Sequence, residues 1–326
     1  MINVEKLRSE FPILSREVNG KPLVYLDNGA SYQKPGVVID AISNAYSNEY
    51  ANVHRGLHYL SNLATDNYER VRAIIQKFLG AEYEEEVVFT SGTTEGINLA
   101  AYGWAMEHLS KDDEIILSVM EHHANIVPWH FLRERLGVKI KWVDCDPNGN
   151  LEPQTVIDQF TEKTKLLAIT HMSNVLGTVV DVRTLCHEAR KNGIVSLVDG
   201  SQAAVHMPVN VSDIGCDFYA ITGHKLCGPS GSGALYIRND IQKTMRPFLG
   251  GGDMIKDVFK DKIIYNDPPM KFEAGTPGIV QTIGLGVALE YMMDIGMDNI
   301  KAYESDLTSY ARQRLEGLNW LNIQGK

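Results

Sequence analysis

Ile194-Val195-Ser196-Leu197-Val198-Asp199-Gly200-Ser201-Gln202 and, further along, Phe218-Tyr219-Ala220-Ile221-Thr222-Gly223-His224-Lys225 share one pattern. Each is a short apolar, β-rich run that ends in a polar turn, the first on an acid and the second on a lysine. Such runs predict two adjacent strand ends facing one site. The pattern recurs on both sides, at Val87–Thr90, Glu114–Val119, Val138–Val143, Leu166–Thr170 and Ala234–Ile237. Helix-period stretches separate these runs at Glu95–His108, Ile126–Leu136, Thr155–Phe160 and Val182–Lys191. Strands alternating with helices predict an α/β fold with a mostly parallel central sheet, whose ligands bind beyond the carboxyl ends of the strands.

Toward the N-terminus, Val4, Leu7 and Phe11 recur at helical spacing before Pro12. Lys21–Asp27 reads as a short strand, Val37–Tyr50 as a helix, and Ser61–Leu79 as a long helix with Ser61 as its cap. Beyond Arg238 come loop segments at Gly250-Gly251-Gly252 and Lys271–Pro277, then helical periodicity over Thr282–Met293 and Asn299–Leu315. The chain closes on a strand-like Leu321-Asn322-Ile323, which reads as the start of a domain cut short. The division expected is an N-terminal segment over 1–20, a large domain over 21–280, and a connecting helix with the start of a small α+β domain over 281–326.

With 326 residues the chain can bury a large core, and 44% hydrophobic with 22% charged residues is ordinary for a soluble enzyme. A net charge of −10 without basic blocks argues against nucleic acid and anionic membrane as partners. No run approaches a membrane span, and the first residues lack the apolar core of a signal peptide. Cys145, Cys186, Cys216 and Cys227 are scattered, as reduced thiols are, so a cytoplasmic location is expected.

The strand ends hold the chemistry. Thr90-Ser91-Gly92-Thr93-Thr94-Glu95-Gly96 joins a strand to a helix, with hydroxyls and glycines suited to a phosphate. It lacks the lysine of a P-loop and also reads as an ordinary helix cap. Glu121-His122-His123-Ala124-Asn125 offers a histidine that can lie on an aromatic ring and exchange protons; a hydrogen-bonded loop histidine is the bland alternative. Asn174, after the strand at Leu166–Thr170, can bond a carboxylate or a phenolate, or simply shape its loop. Asp199 and Lys225 match the two partners of pyridoxal phosphate, a pyridinium anchor and a Schiff-base amine. Gln202 would meet the phenolic oxygen, and Thr222 and His224 the phosphate. Singly each is a surface cap; in strand-terminal order they point together to one cofactor.

Tyr25–Ala30, His54-Arg55-Gly56, Ser91–Asn98, Met120–Asn125, Ser173–Gly177, Val198–Gln202, Gly223-His224-Lys225 and Phe272–Pro277 together resemble the pyridoxal-phosphate-dependent cysteine desulfurases of the class V aminotransferase family. The Glu-His-His-Ala-Asn and Phe-Glu-Ala-Gly-Thr-Pro stretches are similar to the second group, which includes selenocysteine lyases. The resemblance covers nearly the whole chain. It implies a fold-type I transferase that turns L-cysteine into alanine and passes sulfur to a persulfide for iron–sulfur assembly. It further implies Lys225 as the Schiff-base lysine, Asp199 at the pyridine nitrogen, Gln202 at the phenolic oxygen and His122 stacked on the ring. Thr94, Thr222 and His224 fall at the phosphate, Thr93 among the cofactor-binding residues, and Asn174 at cofactor and substrate. Thr276 would reach the phosphate of the other subunit of a homodimer. Thr222 stands where the family usually has serine, and Gly29 where it usually has alanine.

Family members run about eighty residues longer, and that C-terminal part holds the cysteine nucleophile and the arginine that binds the substrate carboxylate. None of the four cysteines matches the nucleophile; Cys227, two residues past Lys225, reads as pointing away. The expectation is a C-terminally truncated chain whose sulfur goes on to an acceptor protein. L-selenocysteine lyase activity, another activity of class V pyridoxal-phosphate enzymes, and a non-catalytic cofactor-binding dimerisation or regulatory subunit are the alternatives.

Overall fold

A computed structural model describes residues 2–325, so the outermost residues of the expected 1–20 and 281–326 segments lie outside it. Seven strands form the central sheet: β1 (Val87–Thr90), β2 (Glu114–Ser118), β3 (Lys139–Val143), β4 (Thr164–Thr170), β5 (Val195–Asp199), β6 (Phe218–Thr222) and β7 (Gly233–Ile237). Their spatial order is β1-β7-β6-β5-β4-β2-β3. Only β7 runs antiparallel to its neighbours. The carboxyl ends of the other six therefore share one edge, at Thr90, Ser118, Val143, Thr170, Asp199 and Thr222.

Both faces of the sheet are covered, which is why its strands read as unbroken apolar runs. Alternate residues divide between two cores. Phe89, Ile116, Ile169, Val198 and Ile221 face one, and Val88, Leu117, Ala168, Leu197 and Ala220 the other. The first core includes the helices Tyr59–Leu79, Val182–Lys191 and Ile279–Ile295, and the second the segments Thr93–His108 and Val127–Leu136. In Tyr59–Leu79 the buried positions Ala64, Tyr68, Val71, Ile75 and Phe78 recur every three or four residues, and Gly80 ends the helix at φ 64°.

All seven expected strands are present to within a residue or two, and the α/β class with its mostly parallel sheet is as expected. Three local expectations need correction. Lys21–Asp27 contributes only Lys21–Pro22, paired with Glu17–Val18, because Val24 and Leu26 point to solvent and no further strand lies alongside. The long helix starts at Tyr59 and is capped by His58, whose Nδ1 accepts the Ser61 N–H at 3.3 Å. Ser61 instead donates its hydroxyl to the Asn52 carbonyl at 2.7 Å. Leu321–Ile323 forms no strand.

The boundary expected after residue 280 falls inside the helix Ile279–Ile295, whose residues through Met292 belong to the large core. The next helix, Met297–Leu315, buries no residue among those described. The N-terminal segment lies against the helix Ile279–Ile295, with the Tyr291 hydroxyl donating to Glu10 at 2.7 Å and Phe11 edge-on to the Tyr291 ring.

Candidate active site

The shared strand edge gathers the polar residues. Asp199 ends β5 with its carboxylate buried. Its Oδ1 accepts the Ser201 N–H at 3.0 Å and the Ser201 hydroxyl at 2.6 Å, while Oδ2 accepts no hydrogen bond among the described residues. The Ser201 oxygen lies 2.7 Å from the Thr93 hydroxyl, also buried, across 108 residues of chain. Gln202 follows and donates to the Gly29 carbonyl at 2.7 Å. Beneath this corner, Gly200 packs against Tyr219 so closely that a Cβ there would sit 2.0 Å from the ring. The Tyr219 hydroxyl bonds His171 Nδ1 at 2.9 Å.

Thr222 ends β6 and is buried under the loop from β1. That loop turns at Gly92, with φ 148°, and a Cβ on Gly92 would lie 3.1 Å from the Thr222 hydroxyl. Glycine is thus what lets the hydroxyl-rich helix start approach Thr222. The next residues, Gly223-His224-Lys225, form a single 3₁₀ turn. Its His224 carbonyl accepts from Tyr32 N–H at 2.9 Å, Lys34 Nζ at 3.1 Å and the Ser31 hydroxyl at 3.3 Å. Residues 29–34 therefore hold both Gln202 and the lysine turn. The Lys225 amine itself makes no hydrogen bond or ion pair among the described residues.

Burial lowers the pKa of Lys225 from the ordinary lysine value, opposed by the charge of Asp199. His122 is also lowered, by burial first, with Lys225 and His123 acting the same way and Asp199 against. These three groups are therefore close enough to influence one another's charge. His122 Nδ1 accepts the Ala124 N–H at 3.1 Å, so the neutral ring carries its proton on Nε2. Burial likewise lowers His224, aided by Lys225 and Lys34.

Behind His122, the fully buried Glu121 takes the Ser118 hydroxyl at 2.6 Å, the Thr170 N–H at 3.0 Å and the Asn125 amide at 2.7 Å. Desolvation pushes its carboxyl up to about 7. One side chain thus ties the ends of β2 and β4 to the turn that presents His122.

The sequence-predicted set divides accordingly. Asp199, Gln202, Thr222, His224, Lys225 and His122 come together at the sheet edge. Thr93 joins them from below, its hydroxyl turned into the protein toward Ser201. Thr94, in the first helical turn, and Asn174, at the corner of a loop closed by Ser173, are exposed. Thr276 lies apart, lining a groove of about 200 Å³ with Ser91, Glu95 and Phe272. Its loop is anchored by Glu273, which pairs with buried Arg72 at 2.8 Å and accepts the Phe89 N–H at 2.7 Å. Ser201, Glu121 and Lys34 acquire their importance only in three dimensions. Ser201 and Glu121 lie inside motifs already singled out and Lys34 a few residues beyond one, but the sequence gives none of them a role.

Residues 24–326 match the family described as aminotransferase class-V. The chain belongs to this family. A cysteine desulfurase of Escherichia coli K12 is 48% identical over 326 residues, spanning the whole of this chain and 80% of its own length. A probable cysteine desulfurase of Xylella fastidiosa is 48% identical over 98% of this chain and 77% of its own. Among solved structures, the apo cysteine desulfurase of Thermococcus onnurineus superposes with a TM-score of 0.94 at 38% identity, covering all of this chain and 79% of its own. The E. coli cysteine desulfurase CsdA, with an S-sulfonic acid, gives 0.89 at 36%, covering 97% and 78%. The pyridoxal-phosphate-dependent fold expected for a class V aminotransferase is thus the fold observed.

Three of the four thiols of this class V chain are ill placed for exchange. Cys186, Cys216 and Cys227 are buried, and burial pushes Cys186 and Cys227 up to about 12 and raises Cys216 as well. Cys145 is half-buried against the core beyond β3. Little thiolate, the reactive form, is available at the three buried positions.

Proposed function

We propose that the chain is a pyridoxal-phosphate-dependent cysteine desulfurase acting on L-cysteine. The observation behind this reading is the placement of Asp199 at the end of β5 and Lys225 in the turn after the adjacent β6, an open carboxylate oxygen and a half-buried, unpaired amine at one sheet edge. The residues present fit the cofactor. Asp199 would hold the ring nitrogen, Gln202 the phenolic oxygen, His122 the ring face, and Thr94, Thr222 and His224 the phosphate. Thr93 would support that set from beneath, and Asn174 would meet cofactor and substrate.

When bound, pyridoxal phosphate supplies a protonated ring that draws electron density from the substrate α-carbon. The chain's own residues handle the protons. Partial burial keeps more of the Lys225 amine neutral than at an exposed site, as needed both for attachment and for removing the α-proton at Nζ. His122 holds a proton at Nε2 that it can give to, or regain from, the substrate. The clamp on the His224 carbonyl fixes the backbone from which Lys225 extends.

Sulfur leaves cysteine as a persulfide on an accepting thiolate, and alanine gains a proton at its β-carbon. We assign that thiolate outside Cys145, Cys186, Cys216 and Cys227, with a separate sulfur-acceptor protein after it. L-selenocysteine would meet the same residues, and comparing alanine release from the two substrates sets the preference.

Thr276, together with the exposed Leu57 and Tyr59, supports a homodimer in which Thr276 meets the partner's phosphate. No described helix is long and apolar enough to cross a membrane, and we place the protein in the cytoplasm. The domain division proposed is a large cofactor-binding domain over 21–280, then a connecting helix and the start of a small domain over 281–326, with the N-terminal segment 1–20 packed on the latter.

Borohydride reduction of the cofactor-loaded protein followed by peptide mapping is expected to mark Lys225, with alanine formed from cysteine when dithiothreitol accepts the sulfur. A mark on another lysine, or no bound cofactor at all, overturns the assignment.

A further inference from the structure

We propose that Ser201 and Thr93 are positioning residues for Asp199, forming a buried hydroxyl relay that turns a single carboxylate oxygen toward the ring nitrogen. The inference rests on the pyridoxal-phosphate reading given above. A free carboxylate has two equivalent oxygens and can rotate about its terminal bond. Here Ser201 occupies Oδ1 twice, with its N–H at 3.0 Å and its hydroxyl at 2.6 Å. Because that hydroxyl gives its only proton to Asp199, it must accept from Thr93, 2.7 Å away. Proton direction is therefore fixed along the line from Thr93 through Ser201 to Oδ1. Oδ2 is left as the one oxygen with no internal partner.

The three side chains are buried, so their hydrogen bonds are little diluted by water, and bonds to a charged acceptor are the stronger kind. The relay also has a mechanical aspect. Thr93 opens the helix after β1, and Asp199 ends β5, which is not a neighbour of β1 in the sheet. The hydroxyl pair thus ties the phosphate-side helix start to the ring-nitrogen carboxylate, keeping the two ends of the cofactor site at a set spacing.

Ser201→Ala, Thr93→Val and the double variant test this, with Thr93→Ser as the version that keeps the hydroxyl. The readouts are cofactor affinity of the apoprotein, nitrogen NMR of isotope-labelled cofactor across neutral pH, and kcat and KM for cysteine. Ser201→Ala is expected to move the ring-nitrogen resonance toward the unprotonated position. It should also weaken cofactor binding and lower kcat by about tenfold or more, with KM nearly unchanged. Thr93→Val should do the same more weakly, Thr93→Ser should restore most of the loss, and the double variant should match Ser201→Ala, since one relay is broken once.

A Ser201→Ala protein with the wild-type resonance and kcat overturns the relay, as does one that only melts earlier. Asp199→Asn separates the two levels of inference. If it also leaves the resonance unmoved, Asp199 is not the ring-nitrogen partner and the cofactor reading itself falls. If it moves the resonance while Ser201→Ala does not, only the relay falls.

Discussion

Glu121 gives the fold a pH dependence that can be worked out in advance. Its carboxyl is pushed from 4.5 to about 7 by burial, against three hydrogen bonds that favour the charged form. A carboxyl with a folded pKa above its unfolded one binds its proton more tightly in the native state. Its stabilising contribution is therefore whole below about 4.5 and is lost as the pH rises through about 7. At about 1.4 kcal/mol for each pH unit, the loss amounts to about 3–4 kcal/mol between acid and mildly alkaline solution.

Glu121→Gln removes the titration while nearly keeping the shape. It has its own cost, because its amide nitrogen would face the Asn125 amide, two donors meeting. Asn125 cannot simply turn over, since its oxygen accepts the Trp129 indole N–H at 3.0 Å. That cost, about 1–3 kcal/mol, does not vary with pH, so the slope and not the offset is diagnostic. Urea midpoints of both proteins, measured as apoprotein from pH 5 to pH 8, are expected to converge as pH rises, with only the wild type losing the Glu121 contribution. Two curves that keep a constant separation would refute the titration of Glu121 in this range.

The remaining predictions follow from packing and charge. Gly200→Ala places a methyl inside the Tyr219 ring's space and should cost about 1–3 kcal/mol or more, read as a lowered thermal midpoint, with the His171–Tyr219 bond lost. Arg72→Ala leaves Glu273 without its buried cation and should cost about 3–5 kcal/mol; hydrogen exchange should rise first in residues 273–277, which carry Thr276. Lys34→Met removes one of three donors from the His224 carbonyl. It should lower kcat several-fold without unfolding the chain, checked by steady-state rates beside a thermal melt.

The sheet was legible because burial on both faces leaves an unmistakable apolar run, and because several of these runs lead into a residue with chemistry. Asp199, Thr222 and Lys225 could be named from their place after such runs. Lys21–Asp27 misled for the same reason in reverse: its side chains suit a strand, but a strand also needs a neighbour, and no local pattern reports one. The cap of the long helix went to His58 over Ser61 because a ring nitrogen served where a hydroxyl was expected. Thr93 and Ser201 lay inside recognised motifs, yet sequence order cannot tell a hydroxyl facing a ligand from one facing another hydroxyl. Glu121 opened a recognised motif, but its burial depends on three donors from three elements that sequence order does not bring together.

The grip of residues 29–34 on Gln202 and the lysine turn has a bearing on how the protein is made. The partners are separated by 173 to 193 residues, so the first of them leaves the ribosome long before the last. At about 5–20 residues per second the early segment waits about 10–40 seconds for its counterparts. During synthesis it has no native partner, and the catalytic corner closes only after β6 has emerged. A nick or deletion in this stretch, far from Lys225 in the gene, would therefore leave the sheet to form while the lysine turn lost its anchor.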